Sequence, residues 1–486
     1  MMLKHHEHAF GNKKYILLVI QTNTYFTGLL PLGRMLKQSN QYEPIFLFCG
    51  NYPTIQNDIE TCRTDGLSLR LTKGVSSLFD SASAIDRPKT LQKSSLMLLW
   101  ENFFINLWNA FKRIASQALR LASKSLSVYF SLKREISIYR QLLRNEHISL
   151  MVMAADNRSN QAVIVKSAHQ ENIPVVVLPQ YMASSLEWLE YIQENPDYSC
   201  DKWRNKIAGW LYPRWTIAYK EKRLIALPSE QVLAREWLGI APPLPWVLHS
   251  GFADAIALES EAVREFGVSL GLPPEKLFVT GSVVHDVMAE AMSKAHERGA
   301  ELIKELDLES DRPILLSALP PDMIGGRLEC DFKEYSALVD FWCRSLASVP
   351  NYNVAIVLHP SVRYEAMKYI EDWGVKITRK PIAAVIPLCR IFVASISATI
   401  QSAIACGVPV INYDVYRYRY VDYNDVAGVI KVEEKANFLE ALQKLTSDPD
   451  YYSRVASLQA KQASKWGVID GKASDRLLKL FETLSD

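Results

Sequence analysis

The sequence predicts an α/β protein built from two parallel-sheet domains. Three observations predict it. The chain has 486 residues, 49% of them hydrophobic, too many for one ordinary domain and enough for two cores. Short runs of consecutive apolar residues recur, as expected of strands covered on both faces. The pattern then restarts after a charged helical segment in the middle of the chain.

Taken in order, Tyr15-Ile16-Leu17-Leu18-Val19-Ile20 is an uninterrupted apolar run between Lys13-Lys14 and polar Gln21 to Thr24, and opens the first sheet. Thr27 to Leu36 reads as a loop entering a helix, and Pro44-Ile45-Phe46-Leu47-Phe48 as the next strand, completing a βαβ unit. Leu150 to Ala154, Pro174 to Leu178, Leu224 to Leu227 and Lys276 to Val279 are further strands, with helical patterns between several of them. Val287 to Asp311 is helical and charged. Beyond it Pro313 to Leu316, Val354 to Leu358, Ile391 to Ala394 and Pro409 to Tyr413 are again short apolar strands separated by amphipathic helices. The boundary falls near 290–310, giving a first domain over 1–290, a second over 300–450, and terminal helices over 451–486.

Charge excludes some classes of partner. With 55 basic and 53 acidic side chains the net charge is +2, so nothing global marks a nucleic-acid binder. Seven cysteines lie scattered without a C-x-x-C pair, which argues against a disulfide framework or a zinc site and fits a reducing cytoplasm. Residues 1–12 hold no apolar core of signal-peptide length, and no later run is long and uncharged enough to span a bilayer.

Two stretches carry the most chemistry. Val279-Thr280-Gly281-Ser282-Val283-Val284-His285-Asp286 and the segment from Val393 through Ser395, Ser397, Thr399, Gln401 and Ser402 to Gly407-Val408-Pro409 each run from an apolar strand into small hydroxyl residues and a helix start. That arrangement presents backbone N–H groups and hydroxyls to a phosphate. Three more motifs accompany them in order: Thr27 to Leu36, Ala155-Asp156-Asn157-Arg158-Ser159 followed by Ile173-Pro174-Val175, and Val357-Leu358-His359-Pro360. Together the five resemble the GT-B superfamily, and within it the branch shared by UDP-N-acetylglucosamine 2-epimerases and related glycosyltransferases, over about Tyr15 to Val432.

The resemblance implies a GT-B fold: two Rossmann-like domains with parallel sheets facing an interdomain cleft, and a last helix that crosses back onto the first domain. It implies a nucleotide sugar, UDP- or CMP-linked, on the second domain, held by Gly281, Ser282, Ser317, His359, Pro360, Ser395, Ser397, Thr399, Gln401 and Ser402. It places Gly28, Asn157 and Arg158 on the acceptor side, and makes Asp156 the expected general base and His359 the group that steadies the leaving phosphate, with no metal or other cofactor. Capping roles explain Asp156, His359, Ser395 and Ser397 as well, so Asp156 and His359 must face one cleft. Should they not, a non-catalytic nucleotide- or glycan-binding relative gains ground. The chain departs from the hydrolysing epimerases where their His-Arg-Arg-Glu stretch becomes Leu319-Pro320-Pro321-Asp322, their Gly-Gly becomes Ile396-Ser397, and the acidic residue after the I-P-V strand becomes Pro179-Gln180-Tyr181. Transfer is therefore favoured over epimerisation. Ser402, beside Gln401, stands where many relatives carry a ribose-binding glutamate.

Two segments of the first domain combine bases with aromatics. Between Pro88 and Arg134 there are eight Lys or Arg and one acid, Glu101, with Trp100, Phe103, Phe104, Leu107, Trp108 and Phe111 at mostly helical spacing. Lys202 to Arg223 repeats the pattern with seven bases and the single acid Glu221. Such stretches (88–134 and 202–223) suit an anionic membrane surface and a glycan or lipid-linked acceptor, although core packing of the aromatics is equally compatible. The expectation is a cytoplasmic enzyme, peripheral at the inner membrane face, with no nucleic-acid partner.

Overall fold

The computed structural model describes residues 13–72, 99–157, 160–324, 329–359, 362–420 and 422–485; of residues 99–118 and 187 the backbone alone is described. The first sheet holds β1 (Lys14–Ile20), β2 (Tyr42–Phe48), β3 (Ser68–Leu71), β4 (Ile148–Met153), β5 (Val175–Val177), β8 (Ala255–Leu258) and β9 (Leu277–Val279), in the order β3-β2-β1-β4-β5-β8-β9. All its neighbours are parallel. Between β5 and β8 a separate antiparallel hairpin, β6 (Thr216–Tyr219) with β7 (Lys222–Ile225), is inserted. The run Leu224 to Leu227, expected in the main sheet, belongs to this hairpin. Only Leu224 and Ile225 of its strand are buried, so the short apolar run packs a small satellite core with Trp215 and Val232.

The second sheet is β12-β11-β10-β13-β14-β15, all parallel, from β10 (Ile314–Ala318), β11 (Asn353–Val357), β12 (Lys376–Thr378), β13 (Ile391–Ala394), β14 (Val410–Tyr413) and β15 (Val429–Val432). Both sheets thus follow the Rossmann order, in which the chain reverses direction beside the first strand and leaves a crevice at the strand carboxyl ends. The crevices lie between β1 and β4 and between β10 and β13.

Strand alternation explains the two-sided cores. Leu17, Val19, Ile45, Leu47, Met151 and Met153 point to one face, against the helix Gln161–Gln170 and the long helix Leu99–Asn145. Ile16, Leu18, Phe46, Phe48, Leu150 and Val152 point to the other, against the helix Asn23–Gln38 and the final helix Ala473–Ser485. Each such side chain contributes roughly 1.5–3 kcal/mol by leaving water, which is why runs that look merely hydrophobic in sequence sort so cleanly in space. In the second domain Trp342, Tyr413 and Phe438 stack, with ring centroids 4.7–5.6 Å apart. The Trp342 indole donates to Ser317 Oγ at 2.9 Å. Ser317, expected at the donor, is therefore a fully buried acceptor for a core tryptophan.

Thr27 and Gly28 are not in a loop: their helix begins at Asn23, capped by Thr22, whose Oγ1 accepts from Tyr25 N at 3.3 Å. The long helix Leu99–Asn145 spans about 70 Å at 1.5 Å per residue. Its last third packs Leu132, Ile136, Tyr139 and Leu143 into the core while Phe130 and Leu119 stay exposed. The basic-aromatic positions 88–98 lie outside the described residues, as do the side chains of Trp100 to Phe111. In the second such segment Trp215 is buried and Trp210 is 79% exposed. Four of its bases are neutralised locally, Lys202 by Asp197, Arg214 by Glu236, Lys220 by Glu190 and Lys222 by Glu194. Acids outside 202–223 thus offset much of the basic surplus read from the segment alone.

The chain passes to the second domain through the helices Val283–Ser293 and Ala295–Glu305 and returns in the final helix. Asp286 fastens the return: its oxygens accept from Ala473 N at 2.9 Å, Ser474 N at 2.8 Å and Ser474 Oγ at 2.6 Å. Arg476 donates to the Thr280 carbonyl at 2.7 Å, and Leu477, Leu480 and Phe481 are buried on the first sheet. Asp286→Ala leaves these donors unpaired and is expected to cost roughly 1–3 kcal/mol, read as a lower melting temperature and faster proteolysis of the final helix; an unchanged melt would contradict the clasp.

Candidate active site

The strand carboxyl ends of both sheets face one cleft of about 840 Å³. Thr24, Thr27, Gly28 and Gln180 line it from the first domain; His359 after β11, Arg379 after β12, the Ser395–Thr399 loop after β13, and Asp422 line it from the second. A narrower recess of about 160 Å³ adjoins it, sharing Gly28, Gln180 and Thr399 and reaching Glu259, Gly281, Ser282, His285 and Ser402. Ligands of open α/β sheets gather at this end.

The Ser395–Thr399 loop is built for polar contact. Ser395 is 8% exposed and its hydroxyl has no hydrogen-bond partner among the described residues. Ser397 Oγ and Thr399 Oγ1 lie 2.7 Å apart, and Thr399 N donates to Ser397 Oγ at 3.3 Å. Between them Ile396 has φ of +44°, a left-handed conformation that a β-branched residue adopts only under strain of roughly 1–3 kcal/mol. Its N–H is held by Asn412 Oδ1 at 3.0 Å, the side chain of a buried residue on β14. The loop therefore keeps at Ile396 a backbone conformation that glycine adopts most readily.

Burial lowers the His359 pKa from its ordinary value, so the imidazole is neutral at pH 7 and can donate from one nitrogen. The Arg379 guanidinium lies 4.0 Å over the Tyr364 ring and has no carboxylate partner among the described residues. Its neighbour Lys380 pairs with Glu305 at 2.9 Å. Arg379 is thus an uncompensated cation beside the hydroxyl loop. Asp422, opposite, is pushed up to about 6 by burial, with Lys431 opposing the shift.

Gly28 packs directly against Gln180: a Cβ there would fall 1.3 Å from Gln180 Oε1. Gly281 has φ of +76°, and Ser282 caps the next helix, accepting from Val284 N at 3.4 Å. His285 is buried, its Nδ1 without a partner among the described residues, and burial depresses its pKa to about 4.

Other expected site residues are elsewhere. Asp156 is fully buried and lines neither cavity; its carboxylate accepts from Ser250 N, Ser250 Oγ, Phe252 N and Ala253 N at 2.6–3.0 Å. A carboxylate saturated by four donors is a loop clasp, so the expected general base is corrected to a structural role, and Asp156 and His359 do not meet. Asn157 works alongside it, donating to the carbonyls of Pro245 and Val247 at 2.9 and 2.7 Å rather than facing an acceptor. Gln401 is buried and lines neither cavity, and its Nε2 has no partner among the described residues. Arg158 and Pro360 lie outside the described residues.

The sequence reading missed Glu259. It stands at the end of β8, a strand that was not assigned, although Ala255-Ile256-Ala257-Leu258 is an apolar run leading into Glu259 and the helix-capping Ser260. The same strand-to-cap pattern identified other sites. It also missed Arg379, whose strand β12 has three residues.

These features define a GT-B fold, and comparison with solved structures agrees. The UDP-GlcNAc 2-epimerase of Neisseria meningitidis, solved bound to UDP-GlcNAc, superposes with TM-score 0.50 at 13% identity, covering 96% of this chain and 100% of that one. The wall teichoic acid polymerase TagF superposes with TM-score 0.51 at 11% identity, covering 98% and 89%. At this identity the likeness is one of fold. No protein-family model and no curated protein sequence matches the chain.

Asp156→Asn places an amide against four donors and is expected to destabilise the protein by roughly 2–4 kcal/mol while leaving nucleotide affinity within about twofold. Calorimetry and a binding titration check both; a normal melt with lost activity would restore Asp156 to the chemistry.

Proposed function

We propose that the protein is a GT-B glycosyltransferase that moves a sugar from a UDP- or CMP-linked donor to a cell-surface glycan or lipid-linked acceptor, without a metal. The observation that carries this reading is the shared cleft, in which a neutral His359, an Arg379 without a carboxylate partner among the described residues, and the Ser395–Thr399 hydroxyls converge from the ends of β11, β12 and β13. The diphosphate or phosphate of the donor sits against the hydroxyl loop, with Ser395 Oγ supplying the hydrogen bond it otherwise lacks. Arg379 and His359 stabilise the charge that builds on the departing phosphate oxygen, and a low-dielectric cleft magnifies that effect. The base lies toward Tyr364, Val362 and Ile377, the apolar wall of the same cleft.

The separation of Asp156 from His359 removes the base first expected and favours a non-catalytic binder unless another acid/base group reaches the cleft. Asp422 lines the cleft and Glu259 lines the recess that adjoins it, which supports an enzyme. The same two carboxylates support the second reading, an epimerase-like reaction on the donor sugar. Exposed Trp210 and Ile207 on the helix Trp203–Leu211 support an acceptor presented at a membrane surface; among the described residues no helix is long and apolar enough to cross one.

The test is thermal stabilisation by a panel of UDP, CMP, GDP and dTDP sugars, with nucleotide release followed in parallel. A pyrimidine nucleotide is expected to raise the melting temperature. Ser395→Ala and Arg379→Ala are each expected to weaken its binding about 5- to 100-fold, from the loss of one neutral or one charge-assisted hydrogen bond. No stabilisation by any nucleotide overturns the reading, and an isomerised donor sugar moves it to the epimerase.

A further inference from the structure

The recess beside the main cleft holds a carboxylate that the donor-binding residues do not use. Glu259 leaves the end of β8, and that end is fixed: Thr280 N and Gly281 N both donate to the Leu258 carbonyl at 3.1 Å, while Ser260 caps the following helix through Val263 N at 3.3 Å. Its side chain opens into the 160 Å³ recess opposite Thr399 and Ser402 of the second domain. Among the described residues it has neither a hydrogen-bond nor an ion-pair partner. It differs in this from Asp156 and Asp286, the other first-domain carboxylates in the motifs above, which are saturated by donors.

We propose that Glu259 is the catalytic base of the reaction, receiving the proton of the hydroxyl that attacks the anomeric carbon; the assignment rests on the nucleotide-sugar reading of the cleft. The attacking oxygen, from an acceptor sugar or from water, uses a lone pair to form the new bond to the anomeric carbon. The bond from that carbon to the phosphate oxygen breaks, and its electron pair leaves with the nucleotide. The hydroxyl proton passes to the Glu259 carboxylate, which later returns it to solvent.

Burial pushes the Glu259 pKa up to about 7, so the group is ionised in a useful fraction near neutrality and basic enough to take a proton. The surrounding elements leave that shift uncompensated. The helix Val283–Ser293 presents His285, which is neutral, and Asp286, which is turned to the final helix. The loop of the second domain presents Tyr423, whose phenol is raised by burial and by the charges of both Asp422 and Glu259. Arg476 of the final helix is paired with Asp470, and Lys465 with Glu265. The helix Asn23–Gln38 and the loop after β5 contribute Gly28 and Gln180, and the helix Thr399–Ala405 contributes hydroxyls.

The experiment uses the full chain with UDP-N-acetylglucosamine and a CMP-sugar as donors, water as the attacking hydroxyl, and nucleotide release as the signal. Glu259→Gln is expected to lower kcat about 10²- to 10⁴-fold with KM for the donor within about twofold. The wild-type rate should rise with pH through about 7, and Gln should abolish that limb. Glu259→Asp keeps the charge and is expected to keep the limb at reduced rate. The folded pKa lies above the ordinary 4.5, so ionisation costs wild-type stability progressively as pH rises from 4.5 past 7. Glu259→Gln should accordingly melt with wild type at pH 4 and above it at pH 8.

A Gln variant turning over within about threefold of wild type overturns the assignment. So does one that loses rate and donor affinity together, which would mark Glu259 as a binding or packing residue. If the wild type binds no nucleotide in the thermal assay, the nucleotide-sugar reading fails, and the base assignment with it; normal binding with an unaffected Gln variant sinks the assignment alone.

Discussion

The site depends on the Asp286 clasp. Two Rossmann sheets linked by a pair of helices would be free to open, and the residues that make the cleft come from both. The chain closes the arrangement by sending its last helix back to the first sheet, where Asp286, on the outgoing helix, caps that helix's N-terminus. Arg476 binds the carbonyl of Thr280 in the same linker motif. The outgoing and returning segments are thereby stapled together beside Gly281, whose φ of +76° and 3.0 Å virtual Cβ distance to Ala473 admit the close crossing. With that crossing fixed, Gly28 and Gln180 stand opposite Thr399, and strand ends of both domains address one volume.

Much of this architecture was legible because a doubly covered parallel sheet leaves a plain trace. Strands β1, β2, β4, β10, β11, β13 and β14 are runs of consecutive apolar residues, and their alternate members fill opposite cores. The trace fails where a strand is both short and poorly marked. β8 is four residues with two alanines, and β12, Lys376-Ile377-Thr378, holds a single apolar residue, so neither stands out from turns and core helices. Leu224 to Leu227 was misplaced for the converse reason: a short apolar run also suits a hairpin that buries only two residues.

The site was legible in place but only partly in role. The hydroxyl loop and His359 line the cleft, yet Asp156 and Ser317, read from the same strand-end logic, serve the core. A strand-end carboxylate faces a ligand or clasps a loop depending on whether donors arrive from elsewhere. Here they come from Ser250, Phe252 and Ala253, about ninety-five positions along the chain, a distance over which local pattern carries no information. The clasp has its own consequence, since the segment it secures leads directly into β8 and Glu259. The acid expected at Asp156 and the acid found in the recess are thus linked: one holds the strand that delivers the other. Ile396 teaches the opposite lesson, for loss of a glycine in sequence did not mean loss of its backbone conformation, which Asn412 maintains.

The central claim is that one nucleotide sugar spans the gap between the two sheets. A crystal structure of the protein soaked with UDP-N-acetylglucosamine or a CMP-sugar tests it most directly. The account predicts phosphate oxygens within about 2.7–3.2 Å of Ser395 Oγ and a His359 nitrogen, with the sugar turned toward the Glu259 recess. A nucleotide bound outside this cleft, or one whose phosphates avoid the Ser395–Thr399 loop, would contradict it.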